Sequence, residues 1–285
     1  MITARTQPKL FLVQPSLDVG SGLLHIRIPY HGDHCVPLTA PSSSESITDL
    51  QVWGSHDITG LVVSPASSPL QAALSAYLET PVLLVQFQDS VPRILGDQRF
   101  LHDLFNTPGL EDALEYPLED CTTSFADGFP FLLATEESFN AVSTWLANET
   151  EDVRMEREEL VKRYRPNILI RGAIEAFEED GWEEVMVGDD TLFPVSRCGR
   201  CPMPDVSPLT GSMSVRRMPG RIVEGHRKGV DRIVRGPCLG MNAIPKKRSG
   251  TLEVGSVVEV KRYARRNTDF ERVKGEWERP EDWWS

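Results

Sequence analysis

The sequence predicts an α+β protein in which strands dominate. Short apolar or alternating runs recur from Lys9 to Val260 and are punctuated by Gly, Pro, Ser and Asp turns. Helical spacing behind a capping residue is clear in only two places, after Ser67–Ser68 and after Thr135. The 285 residues are 40% hydrophobic and 25% charged, which suits a globular chain with one large core or two small ones.

In order, Lys9 to Gln14 and Gly22 to Tyr30 read as strands. In the second, Leu24, Ile26 and Ile28 alternate against His25, Arg27 and Pro29. Residues 31 to 46 read as a loop. His31, His34 and Cys35 within it are metal-ligand types, but a polar turn is the commoner meaning of such a group. Gln51 to Trp53, Gly60 to Val63 and Val82 to Phe87 are further strand signals, with a helix from Ser67 or Ser68 to Leu78 between the last two. Residues 1–90 therefore form a first unit, and 91–120 an irregular, acidic connection.

A second unit spans 121–262. Asp127 and Gly128 open a turn, Phe131 to Ala134 is a strand, and Thr135 caps a helix with Phe139, Val142, Trp145 and Leu146 on one face. The charged run 149–163 reads as a solvated face. Arg165 to Gly172 is a strand entered through Pro166. Glu184 to Phe193 is a hairpin turning at Gly188, Asp189 and Asp190. After Gly211 the chain reads as irregular until strand signals at Cys238 to Pro245 and Gly250 to Val260. Residues 263–285 are a charged tail with Trp277, Trp283 and Trp284.

The net charge of −12 argues against general nucleic-acid binding, which needs a basic surface. Acidic residues concentrate between Glu111 and Asp190, and the chain is mostly basic from Arg197 to Arg266. A basic face for an anionic ligand and an ordinary solvated surface both fit that pattern. Five cysteines do not make a disulfide scaffold. No apolar run approaches a membrane span, and the first residues lack a signal-peptide layout. The expectation is an intracellular protein, cytoplasmic or mitochondrial, with no targeting segment in this chain.

Cys198 and Cys201 form a Cys-x-x-Cys pair followed by Pro202, Pro204 and Pro208. Those prolines exclude the helix N-terminus that a thioredoxin-like pair uses. A structural zinc site needs four ligands, which Cys238 and His226 would complete at an unfamiliar spacing. A buried small cysteine beside an incidental one is the plain alternative. A further reading is one thiolate on a metal whose other ligands come from a cofactor, with Arg165, Arg197 and Arg200 as donors to its oxyanions.

Several segments, taken in order, resemble the MOSC family, the molybdenum-cofactor sulfurase C-terminal-like proteins, and within it the amidoxime-reducing component type. They are Thr3 to Leu10, Asp127 to Ser138, Arg165 to Ile170, Phe177 to Trp182, Arg197 to Cys201 with Asp205, Thr210 and Gly211, and Gly240 to Ala243 with Gly250 to Gly255. The resemblance implies an N-terminal β-barrel-like domain packed on a MOSC β-barrel with peripheral helices. It implies a molybdopterin-type molybdenum cofactor with Cys201 as metal ligand and catalytic residue, Cys198 secondary, and Arg165, Asn167, Arg200, Asp127 and Gly128 lining the cofactor site. It further implies reduction of small N-hydroxylated substrates, with electrons from a b-type cytochrome and an NADH-dependent reductase. A non-catalytic cofactor-binding or carrier protein is the alternative. The family's opening strands, with a Tyr-Pro-x-Lys-Ser-type motif, would precede Thr3, so the first domain is expected to be truncated at its start. Some relatives join a MOSC module to a pyridoxal-phosphate domain. No such domain fits here, and that cofactor is not favoured.

Overall fold

The computed structural model describes residues 2–41, 43–52, 55–88, 93–94, 109–125, 128–231, 234 and 236–264. Strands Gln14–Asp18 (β1), Leu23–Ile28 (β2) and Gly32–Pro37 (β3) form an antiparallel meander. Two expectations fail here. Of the strand expected from Lys9 to Gln14, residues 9–12 lie in the 3-10 turn Pro8–Leu12, because Pro8 has a fixed φ and no N–H to give a ladder. The expected loop after His31 contains β3, because Tyr30 and Gly32 adopt positive φ and reverse the chain tightly.

Ser46–Val52 (β4), Ser55–Val62 (β5) and Val85–Phe87 (β6) make a second three-stranded sheet. Helix Pro69–Leu78 (α1) starts at Ser68, whose side chain accepts from the Gln71 N–H, with Pro69 in the first helical position. Its Leu70, Ala73, Leu74, Tyr77 and Leu78 pack on Ile26, Ile28 and Val36 of the meander.

The expected irregular connection contributes Arg93–Ile94 (β7), which pairs with Thr122–Thr123 (β8), and the short helix Leu110–Ala113 (α2). Leu110 and Leu118 are buried with Phe129, Phe193 and Ile244, so this stretch packs onto the second unit. The expected tail beyond residue 264, with its three tryptophans, lies outside the described residues.

The second unit is a six-stranded sheet curled into a half-barrel. In chain order its parts are Phe131–Thr135 (β9), helices Glu136–Glu149 (α3) and Arg157–Tyr164 (α4), Ile168–Ile170 (β10), Trp182–Val187 (β11), Asp190–Gly199 (β12), helix Gly220–Arg227 (α5), Cys238–Pro245 (β13) and Val258–Tyr263 (β14). The strand order is β10-β9-β13-β12-β11-β14. β9 and β10 are parallel, and α3 and α4 supply the crossover that parallel strands require. The mainly-β α+β class is as the sequence predicts. No helix among the described residues is long and apolar enough to cross a membrane.

The helices differ more from expectation. The run 149–163 was expected to be solvated, but α4 buries Leu160 and Tyr164 against Phe139, Val142 and Leu146 of α3, and Arg163 against the Pro204 and Val206 carbonyls. The stretch after Gly211, expected to be irregular, contains α5, which buries Ile222 and Val223 in the same core.

One buried carboxylate ties the crossover together. Glu179 is fully buried and accepts from the Ser138 hydroxyl at 2.7 Å and the Thr135 hydroxyl at 3.0 Å. Thr135 also caps α3 by accepting from the Ser138 N–H. Burial pushes the Glu179 carboxyl above its ordinary value of 4.5, although the hydroxyls oppose it. The folded chain therefore holds this proton at a pH where the unfolded chain has released it. Stability falls as the pH rises from 4.5 through the raised value. Glu179→Gln removes the titration and keeps an acceptor. Its Tm relative to the parent is expected to rise steadily from acid to neutral pH. A constant difference would show that Glu179 titrates normally.

Candidate functional site

The site grows from the end of β12. This strand pairs with β13 as far as Gly199 opposite Cys238, so Cys198 lies in the strand and Cys201 just beyond it. The Arg200 N–H donates to the Pro237 carbonyl at 2.8 Å, which fixes the exit. Pro202 and the 3-10 turn Met203–Asp205 then stiffen the chain after Cys201.

The two cysteines are unequal. The Arg200 guanidinium donates through Nη1 to Cys198 Sγ at 3.0 Å and through Nη2 to the Tyr164 carbonyl at 2.9 Å. It also lies over the Tyr164 ring, 5.0 Å from its centroid. Burial works against its charge, but Cys198, Cys201 and Tyr164 outweigh it and raise its pKa. Cys201 is half-buried, and its sulfur has no hydrogen-bond partner among the described residues.

The Cys201 loop is held from several sides. Arg163 on α4 donates to the Pro204 and Val206 carbonyls. Asp205, buried, accepts from the Gly220 N–H at 2.6 Å, at the start of α5. A Cβ on Gly220 would stand 2.7 Å from the same carboxylate oxygen, so only glycine fits there. Burial raises the Asp205 pKa, opposed by that N–H, Arg217 and Arg163. Gly211, at φ +63°, closes the loop against Leu12 and Lys9 and so seats the N-terminal segment beside the site.

The other expected residues divide. Arg165, the left-handed residue ending α4, brings Nη2 to 3.6 Å from the Met203 sulfur and lies over the Phe11 ring. Arg165, Arg200 and Cys201 are thus brought together. Asn167 stands further along, where its Oδ1 accepts from the Leu132 N–H at 2.7 Å and joins β10 to β9. Gly128 lies in the bend entering β9, and Asp127 is outside the described residues. Arg197 is not available as an oxyanion donor, because it forms ion pairs with Asp180 and Asp231. Asp180 also pairs with Arg227, making a charge cluster behind the sheet.

The zinc ligand set does not assemble. His226 stacks on Trp145 with ring centroids 3.9 Å apart and pairs with Glu149. Cys238 is buried, with its thiol pushed up to about 12 by burial, which disfavours the thiolate that zinc needs. Among the described residues no group of three or more His, Cys, Asp or Glu could hold a metal ion. A metal here would need ligands that the protein does not supply.

Three buried polar atoms around Cys201 have no hydrogen-bond partner among the described residues: Arg200 Nε, the Tyr164 hydroxyl and Asp205 Oδ2. Leaving such groups unpaired costs about 1–3 kcal/mol each. One soft sulfur near two unsatisfied donors, one unsatisfied acceptor and a fixed cation fits a group that offers both a metal and polar oxygens or nitrogens. Sequence reasoning missed Arg163 and Tyr164. The i, i+4 pairs Leu160/Tyr164 and Glu159/Arg163 were the available signal for a buried helix carrying both.

The family described as MOSC domain matches residues 120–259, the half-barrel and its helices. Residues 120–259 are a MOSC domain. Relatives extend the similarity beyond it. The chain is 29% identical over 260 residues, 90% of its length, to "Mitochondrial amidoxime-reducing component 1" of Danio rerio, and covers 70% of that protein. Against the Homo sapiens protein of the same description it is 28% identical over 228 residues, covering 80% of this chain and 58% of that one. It is also 27% identical over 262 residues to "Molybdenum cofactor sulfurase" of Danio rerio, 90% of this chain but 29% of that protein. The Cys201 loop and α5 both fall inside the MOSC domain.

Proposed function

We propose that this MOSC protein binds a molybdenum cofactor through the Cys201 thiolate and reduces small N-hydroxylated compounds. The inequality of the cysteine pair carries the reading: Arg200 engages Cys198 and leaves Cys201 without a partner, next to unsatisfied polar groups. The relatives' descriptions, amidoxime-reducing component and molybdenum cofactor sulfurase, support the chemistry.

When bound, the cofactor supplies the two-electron chemistry that removes oxygen from nitrogen. The protein's part is position and charge. Cys201 offers a soft sulfur on a braced loop. Arg200 keeps a guanidinium beside it, a fixed positive charge for the cofactor's anionic groups. The unsatisfied Arg200 Nε and Tyr164 hydroxyl offer hydrogen bonds to the cofactor's polar atoms, and the exposed Arg165 places a further cation at the rim. Asn167 and Gly128 belong to the proposed cofactor wall. Electrons come from a b-type cytochrome and its NADH-dependent reductase.

The test is turnover. Protein from a cofactor-competent host, mixed with a b-type cytochrome, its reductase and NADH, is expected to convert benzamidoxime to benzamidine, while Cys201→Ala shows none. Full molybdenum loading without conversion of any N-hydroxylated compound would overturn the catalytic reading and leave a cofactor-binding protein.

A further inference from the structure

We infer that Arg163 is a positioning residue for Cys201. This rests on the reading of Cys201 as the metal ligand. Arg163 does not touch the sulfur and acts through the main chain. It is 5% exposed, unusual for an arginine in a highly charged helix. Its Nη1 donates at 3.0 Å to the Pro204 carbonyl and at 2.9 Å to the Val206 carbonyl, which flank Asp205. Its Nε and Nη2 both donate to Glu159 Oε1, at 2.9 and 2.7 Å, one helical turn earlier. Glu159 thus fixes the guanidinium, and the guanidinium fixes the chain just past Cys201.

Two features make this a clamp on the thiol. The next residue on the helix, Tyr164, accepts from Arg200 through its carbonyl, so the end of α4 holds the residue before Cys201 as well as the turn after it. Among the described side chains, none donates a hydrogen bond to the Cys201 sulfur. Its direction is therefore set by the backbone on either side. A buried charged donor shared by two carbonyls is hard to replace, since each carbonyl would otherwise be left buried and unpaired. The rotamer entropy of Arg163 is already spent in its pairing with Glu159, so the clamp is pre-organised.

The test reads thiol access on metal-free protein, so it holds whether or not metal binds Cys201. Alkylation by iodoacetamide is followed separately at Cys201 and Cys198 by peptide mass spectrometry. In Arg163→Met, loss of two charge-assisted bonds is expected to raise the Cys201 rate roughly tenfold, with Cys198 within about twofold of the parent. Arg163→Lys, which can reach one carbonyl, is expected to fall between. An unchanged Cys201 rate, or equal acceleration at both cysteines, would overturn the inference, because general loosening exposes both. Should Arg163→Met fail to fold, Glu159→Gln keeps the arginine but weakens its anchor. It must also accelerate Cys201 selectively, and uniform or absent change there counts against the clamp.

Discussion

Arg200→Met is expected to lower stability by about 3 kcal/mol and to abolish molybdenum retention, although Cys201 itself is untouched. The size follows from what the guanidinium holds. Its bond to the Tyr164 carbonyl is charge-assisted and closes the end of α4, and its removal leaves that carbonyl without a donor. The stacking over the Tyr164 ring is lost at the same time. Methionine matches much of the arginine stem, so the effect is one of charge and hydrogen bonding more than volume. For a chain of this length the loss corresponds to a Tm about 5 °C lower.

The metal effect should exceed the stability effect. Without Arg200, Cys198 Sγ loses its donor at 3.0 Å and keeps only its weak bond to the Gly199 carbonyl, which leaves it a second accessible thiol beside Cys201. Arg200→Lys tests the distinction. A lysine keeps a charge but cannot donate to Cys198 and Tyr164 together in a planar fork. It should recover stability in part and metal poorly. Thermal unfolding with metal analysis on the same preparations separates the two. Full metal content in Arg200→Met would show that the guanidinium serves the fold alone.

The legible parts of the fold were those whose signal is local. The β11–β12 hairpin announced itself through Gly188, which takes the positive φ its turn needs. Helix α3 was visible from Thr135, which caps it, and from the wide apolar stripe behind. Helix α4 was hidden because its buried stripe is narrow, Leu160 and Tyr164 amid charges, and composition alone reads such a run as solvated. Helix α5 was hidden because Gly220 and Gly225 lower its propensity, and it survives by burying Ile222 and Val223 against α3 and β13. In the first unit, β3 was hidden by its polar composition, Gly32, Asp33 and His34, which is tolerated because Gly32 and Asp33 are exposed and His34 is only half-buried.

The site divides in the same way. The Cys198/Cys201 pair, Arg200 and Arg165 stood out by residue type and spacing, while the choice of Cys201 within the pair came from the resemblance to the MOSC family. Arg163 could not stand out, because its partners are carbonyls of the main chain 41 and 43 positions away. Backbone acceptors occur in every sequence, and only folding selects which of them a buried arginine meets. Arg197 looked as suitable as Arg200 in the sequence. The difference is that β12 turns Arg197 toward Asp180 and Asp231, while the strand's end turns Arg200 toward Tyr164.

The central claim is that the two thiols of the pair have different work. Cys198 accepts from Arg200, and Cys201 is the proposed metal ligand. Replacing Cys198 removes an acceptor from Arg200 but leaves the braced loop and its sulfur. Replacing Cys201 removes the proposed soft ligand itself, while Cys198 is engaged by Arg200 and Cys238 is buried with a raised pKa. The direct measurement is molybdenum content per chain by plasma mass spectrometry, on the parent, Cys198→Ala and Cys201→Ala made in the same cofactor-competent host. The expected result is stoichiometric metal in the parent, most of it kept in Cys198→Ala, and none in Cys201→Ala. Equal loss in both variants, or metal retained by Cys201→Ala, would contradict the account.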